Sequence, residues 1–125
     1  MMLRYLLVVL GGAAGAATRY ALGGWLADRW GAAFPWSTLV INLSGSLLLG
    51  FIGTLAVERL VVPPESVTLL GVGFIGAYTT FSTWQYETFR LLENGSWPLA
   101  LVNLFVSSVL GLASVALGVV LGRLL

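Results

Sequence analysis

The sequence predicts an all-α membrane protein with four transmembrane helices. Of its 125 residues, 58% are hydrophobic and 9% are charged, and the mean hydropathy is +0.97. Such a composition is far from that of a soluble domain. The charges fall in clusters separated by long uncharged stretches. We therefore expect a multi-pass protein with the bilayer as its solvent.

Four stretches have the roughly 20 mainly apolar residues that a membrane-spanning helix needs. They are residues 6–26, with a single charge at Arg19, and the uncharged stretches 34–57, 67–86 and 97–122. Polar connectors lie between them at 27–33, 58–66 and 87–96. The second connector contains a Pro-Pro pair and the third an Asn-Gly pair, both of which stop a helix. We predict one domain over residues 1–125, without a linker.

The first span also has features of a secretory signal. Arg4 precedes the apolar run, and the triplet Ala14-Gly15-Ala16 imitates a cleavage site. The apolar stretch continues through that site, which favours a transmembrane helix. Cleavage would leave three spans.

Small residues recur at intervals of four in the first and last spans. Gly11 and Gly15 form one GxxxG pair, and Gly118 and Gly122 form another. In lipid, such pairs let helix backbones approach closely. We expect a compact bundle that associates with itself.

The arginines give almost no bias for orientation in the membrane. In a four-span chain, one side of the membrane holds Arg4, Arg59 and Arg123, and the other side holds Arg29 and Arg90. The sixth arginine, Arg19, lies within the first span. Insertion in both orientations would make an antiparallel homodimer the natural assembly. A single orientation set by other factors is the alternative, and charge counting does not choose between them.

Several functional classes are disfavoured by composition. The chain has no cysteine and no histidine, so thiolate and imidazole metal sites and the usual catalytic triads are absent. Its net charge is +1, with no basic stripe for a phosphate backbone. We expect neither an enzyme nor a nucleic-acid-binding protein.

Polar residues inside the spans are the best functional candidates, because they are costly in lipid. Thr38 and Asn42 share one face of the second span, and Asn103, Ser107 and Gly111 repeat the one-turn spacing in the fourth. These side chains either line an ion path or join helices by hydrogen bonds.

The third span contains a run that is a poor helix interior. Glycines precede the segment YTTFSTW at 78–84, which is dense in hydroxyl, β-branched and aromatic residues. A break in the helix would free backbone groups, with carbonyls suited to a hard cation and amides suited to an anion. An unbroken helix with back-bonded threonines is the alternative.

Two aromatic residues and one arginine complete the candidates. Phe81 and Trp84 stand at i, i+3, where their electropositive ring edges suit an anion, although such a pair is also ordinary packing. Arg19 lies about two turns from the end of its span. It either attracts anions into a vestibule or pairs with a carboxylate or carbonyls.

At these residues the chain resembles the CrcB/Fluc family of fluoride channels. Three segments carry the resemblance: GGAAGAATRY at 11–20, STLVINLSG at 37–45 and GFIGAYTTFSTW at 73–84. The resemblance implies a fluoride-selective channel in the cell membrane that gives passive efflux of toxic fluoride. It also implies an antiparallel, dual-topology homodimer in contact with lipid, whose third helix is broken.

The resemblance also assigns site residues. Carbonyls at Gly76 and Thr79 of both subunits would surround one structural sodium ion that is not transported. Asn42 and Thr38 would lie by the pore, with Phe81 and Trp84 beside the fluoride path. The family usually has phenylalanine at the position of Trp84. It has a tyrosine and two serines where this chain places Asn103, Ser107 and Gly111.

Two other functional classes compete with a fluoride channel. A small multidrug-type exporter also has four short helices, but it needs a carboxylate embedded in the membrane. Glu58 and Glu87 are expected at span ends, and no other acid is better placed. A pore-forming assembly protein without ion selectivity would not need the specific run in the third span.

Insertion in both orientations is directly testable. Single cysteines introduced at either terminus should be labelled only partly by an impermeant reagent added outside sealed cells, because the arginines favour neither orientation. Complete labelling of one terminus, together with none of a cysteine placed in the 27–33 connector, would contradict the prediction.

Overall fold

The computed structural model describes all residues, Met1–Leu125, and every regular element is a helix. The elements are α1 (Met2–Trp30), α2 (Trp36–Val57), α3 (Pro64–Ser66), a π-helix (Val67–Ile75), α4 (Gly76–Tyr78), α5 (Phe81–Glu93) and α6 (Trp97–Leu124). Helices α1, α2 and α6 are long and apolar enough to cross a membrane. The all-α prediction is confirmed.

The predicted third span, 67–86, contains no single helix of that length. A continuous helical run begins at Pro64 and ends at Tyr78, and α5 begins at Phe81. The run changes from α to π geometry over Val67–Ile75. Long π segments are rare and often occur at functional sites.

The connectors are shorter than the charge pattern predicts. Helix α1 extends to Trp30, and α5 continues through the predicted connector as far as Glu93. Gly31 and Gly95 follow these helices with φ of 74° and 76°, a conformation that glycine adopts without strain. Helices α1 and α5 therefore end at glycine turns and not where charge begins, because polar and charged residues are compatible with a helix outside lipid.

Close helix contacts depend on glycine, as the GxxxG spacings predict. A Cβ on Gly11 or Gly15 of α1 would overlap carbonyl oxygens of the π-helix, at Leu69 and Phe74 respectively. A Cβ on Gly118 of α6 would overlap a carbonyl of α2. The glycines therefore bring α1 against the π-helix and α6 against α2, and this packing sets where the third helical run lies.

The outer surface is apolar. Only 18 of the 125 residues are buried, and large exposed apolar side chains occur along α1, α5 and α6. A soluble protein would rarely expose so much apolar surface. Lipid tails cover such a surface at no cost.

An ion pair joins the ends of α2 and α6. The Arg123 guanidinium donates two hydrogen bonds of 2.8 Å to the Glu58 carboxylate. This contact lowers the pKa of Glu58 below its ordinary value and raises the pKa of Arg123. Both groups lie at the exposed end of the bundle, so the pair orients the chain ends and contributes little stability.

Candidate functional site

The interruption of the third helical run lies at Thr79 and Thr80. Both have extended backbone, with φ and ψ of −78° and 156° at Thr79 and −148° and 116° at Thr80. The Thr80 hydroxyl accepts a hydrogen bond from the Thr83 amide and caps α5. Threonine favours this geometry because it is β-branched and a good N-cap.

Side chains from other helices satisfy the backbone exposed by the interruption. The Asn42 Nδ2 donates to the Thr80 carbonyl at 3.0 Å, and the Asn42 Oδ1 accepts from the Thr80 amide at 2.8 Å. The Arg19 Nε donates to the Ala77 carbonyl at 3.0 Å. These bonds replace the intrahelical bonds that are lost, which makes an extended segment compatible with membrane depth.

Three carbonyls next to the interruption, those of Gly76, Tyr78 and Thr79, accept no hydrogen bond from a side chain or from the backbone outside the helices. In a continuous helix the Thr80 amide would bond the Gly76 carbonyl, but that amide is taken by Asn42. Free carbonyl oxygens are suitable ligands for a hard cation. The chain has no cluster of three or more acidic residues that could hold a metal.

A cavity of about 320 Å³ lies beside the interruption. Four residues predicted for the ion path line it together: Asn42 from α2, Phe81 and Trp84 from α5, and Ser107 from α6. The two rings meet edge to face, with centroids 5.5 Å apart and planes at 69°. Phe81 is 70% exposed, so the cavity is open on the outer surface of the single chain.

Further residues line the same cavity. They include Thr79 and Gly111, which the sequence singled out, and Ser46 and Ser108, which it did not. A Cβ on Gly111 would meet no atom within 4 Å. The cavity lining therefore combines an amide, several hydroxyls and two aromatic rings.

A second, wider cavity of about 760 Å³ lies on the other side of Thr80, which lines both. Arg19 and Thr38 line this one, and the Thr38 hydroxyl donates to Glu87 at 2.9 Å. Thr38 is thus separated from Asn42, although both lie on one face of α2. Glu87 lies within α5, half-buried, with one carboxylate oxygen unpartnered.

Asn103 is placed behind the cavity wall. It is 1% exposed and lines neither cavity. Its Nδ2 donates to the Thr88 hydroxyl at 2.8 Å, and its Oδ1 accepts from the Ser107 hydroxyl at 3.2 Å. Thr88 was missed by sequence reasoning. Its only signal was the one-turn spacing from Trp84, which is shared by many residues of the chain.

Comparison with known proteins identifies the family. The family described as "CrcB-like protein, Camphor Resistance (CrcB)" matches residues 6–119. The chain belongs to this family. A Magnetococcus marinus protein named "Fluoride-specific ion channel FluC" is 47% identical over 118 residues, covering 94% of this chain and 96% of the relative. A Symbiobacterium thermophilum "Fluoride-specific ion channel FluC 2" is 48% identical, covering 89% and 90%.

Membership of the CrcB family confirms the resemblance found in the sequence. Together with the three long apolar helices, it identifies a multi-pass protein of the cell membrane. A Synechococcus relative, 44% identical over 117 residues, has the same channel name as the other two. These relatives are named as channels and not as enzymes.

The pairing of Asn42 with Thr80 predicts a local change in Asn42→Ala. Loss of both hydrogen bonds leaves the Thr80 amide and carbonyl unpartnered, a penalty of about 1–3 kcal/mol for each buried group. Hydrogen exchange in detergent should accelerate at the Thr80 amide. Ser46→Ala, which lines the same cavity from α2 without a side-chain hydrogen bond, is the control. Equal protection of Thr80 in both variants would contradict the assignment.

Proposed function

We propose that this chain is a subunit of a fluoride-selective channel that lets fluoride leave the cell passively. The observation that carries the proposal is the convergence of Asn42, Phe81, Trp84 and Ser107 on one cavity at the helix interruption. The names of the relatives, at 44–48% identity over most of the chain, support the same ion.

The donor set suits a small anion. Fluoride is strongly hydrated, so a narrow path must replace its water as it enters. The Ser46 hydroxyl, which makes no side-chain hydrogen bond within the chain, and one N–H of Asn42 that Thr80 does not use would supply donors. The Ser107 hydroxyl would donate only by leaving Asn103, and the edges of Phe81 and Trp84 would supply weaker attraction. Arg19, at the wider cavity with Thr38, would raise the local anion concentration in a vestibule.

The assembly that we propose is an antiparallel homodimer of four-span subunits, each comprising residues 1–125. The third span in chain order would be formed by the π-helix, α4 and α5 together, with the interruption at its middle. The open side of the cavity and the exposed Phe81 support a second copy as the missing wall. Opposite orientations of the two copies agree with the absence of an arginine bias, and lipid would surround the pair.

A structural sodium ion, not itself transported, would join the two subunits. The residues that would hold it are Gly76 and Thr79, through carbonyls that accept no hydrogen bond from a side chain or from the backbone outside the helices. Gly76 is exposed on the single chain, so its carbonyl is accessible to a ligand shared with a partner. The ion would offset the cost of leaving these carbonyls unpaired in lipid.

Fluoride efflux from proteoliposomes tests the proposed function. The purified protein should release fluoride rapidly and retain chloride. Phe81→Ile should slow fluoride about a hundredfold, the effect of roughly 3 kcal/mol of added barrier, because one ring edge is lost from the path. Asn42→Ala should slow it similarly. Phe105→Ile, which removes an equally exposed ring that lines neither cavity, is the matched control and should conduct normally.

Other results of the proteoliposome assay would identify one of the two competing classes of membrane protein. Equal release of fluoride and chloride would indicate a pore without selectivity. Transport that requires a proton gradient would indicate an exporter, for which Glu87 is the half-buried carboxylate. Full fluoride flux in both Phe81→Ile and Asn42→Ala would reject the assignment of the path.

The sodium site predicts a dependence on the cation. Replacing sodium by N-methylglucamine at constant ionic strength should lower the melting temperature of the detergent-solubilised dimer, because a ligand that binds only the folded state stabilises it. Fluoride flux should fall in parallel. Identical melting curves and flux rates in the two buffers would mean that the carbonyls of Gly76 and Thr79 do not hold sodium.

A further inference from the structure

We propose that Thr88, which lines no cavity, sets the anion selectivity of the path by orienting Asn103 and, through it, the hydroxyl of Ser107. The proposal rests on the proposed channel function and deepens it by naming a positioning residue. It starts from a closed circuit of hydrogen bonds between α5 and α6.

Three residues form the circuit: Trp84 and Thr88 of α5 and Asn103 of α6. The Thr88 hydroxyl donates to the Trp84 carbonyl at 2.8 Å and accepts from the Asn103 Nδ2 at 2.8 Å. The Trp84 indole Nε1 donates to the Asn103 carbonyl at 3.2 Å and closes the circuit. Thr88 is 3% exposed and Asn103 is 1% exposed, so neither residue exchanges these bonds for water.

The direction of every bond follows from the Thr88 hydroxyl. A hydroxyl has one hydrogen, and the Thr88 hydroxyl donates it to the Trp84 carbonyl. Toward Asn103 the same hydroxyl can therefore act only as an acceptor. The nitrogen of the Asn103 amide must therefore face Thr88, and its oxygen must face Ser107. The Ser107 hydroxyl, which lines the cavity, then donates to that oxygen at 3.2 Å.

In this arrangement an anion must compete with the Asn103 amide oxygen for the hydroxyl hydrogen of Ser107. An anion in the cavity gains the hydrogen bond of Ser107 by taking it from the Asn103 amide oxygen, which is left buried and unpaired. Fluoride, the strongest hydrogen-bond acceptor among the halides, has the most to gain from the exchange. Chloride accepts more weakly, so the same cost weighs more heavily against it.

The circuit also occupies the indole N–H of Trp84. Because its N–H is bonded to the Asn103 carbonyl, Trp84 lines the cavity with its aromatic ring and offers it no strong donor. The orientation of the ring and the direction of the Ser107 hydroxyl therefore depend on the same buried threonine.

Thr88→Val removes the hydroxyl at nearly constant shape, and the Asn103 amide becomes free to turn its nitrogen toward Ser107. The Ser107 hydrogen would then face the cavity without competition. The fluoride-to-chloride flux ratio in proteoliposomes should fall about tenfold, which corresponds to roughly 1.4 kcal/mol, chiefly because chloride flux rises. Thr88→Ser keeps the hydroxyl and should restore the ratio. Thr88→Ala is the second variant if the valine variant does not form dimers.

Thr54→Val is the matched control. Thr54 is 4% exposed and its hydroxyl donates to the carbonyl four residues earlier, as in Thr88, but it has no further side-chain partner. The control should leave the flux ratio unchanged. An equal fall of both fluxes in Thr88→Val would overturn the proposal, because a general loss of structure has that effect.

A spectroscopic measurement separates this proposal from the proposed function. With 5-fluorotryptophan incorporated, the ¹⁹F resonance lost in Trp84→Phe identifies Trp84. That resonance should shift in Thr88→Val and stay in place in Thr88→Ser and Thr54→Val. If the unmodified protein shows no fluoride preference, the channel function fails while the resonance still tests the circuit. An unmoved resonance in Thr88→Val would overturn the positioning role.

Discussion

Two hydrogen bonds between the Asn42 side chain and the backbone of Thr80 are the constraint on which the site depends. An extended segment inside lipid needs partners for its amide and carbonyl, and no water is available there. Asn42 supplies both partners at 2.8 and 3.0 Å. With them in place, the third helical run stops at Tyr78 and α5 starts in a new direction, which opens a cavity on each side of Thr80.

Those bonds also account for the neighbouring free carbonyls. A side-chain amide that takes the Thr80 N–H deprives the Gly76 carbonyl of its helical donor. One asparagine thus stabilises the interruption and, at the same time, leaves an oxygen available to a cation. The donors proposed for an anion and the oxygens proposed for a cation would both arise from the same local departure from helical geometry.

Glycine packing decides where that departure lies. Gly11 and Gly15 let α1 contact the π-helix directly, which places Arg19, one turn further along α1, within reach of the Ala77 carbonyl. A larger residue at either glycine would push the helices apart and remove Arg19 from the interruption. Side-chain size at the contact therefore controls a polar bond some distance along the helix.

The sequence alone determined the solvent, the helical class and most of the site. Hydropathy and charge clustering identify membrane helices from composition, because lipid excludes charge regardless of the rest of the fold. The β-branched run at 78–84 was compatible with a break or with a continuous helix. One-turn spacings made Asn42, Phe81, Trp84 and Ser107 candidates, and these residues line one cavity. Helix ends were less well predicted, since glycine turns and not charges end α1 and α5.

Only the tertiary structure decided which polar groups face the cavity and which hold them there. Thr38 shares a helix face with Asn42 but lies at the other cavity, because Thr80 passes between them. Asn103 and Ser107 share one turn, yet one is buried against Thr88 and the other lines the wall. Helical periodicity predicts the face of the helix on which a residue lies. It does not predict which residue of α5 that side chain contacts. The partners depend on how three helices pack around an interruption, and that is a property of contacts distant in sequence.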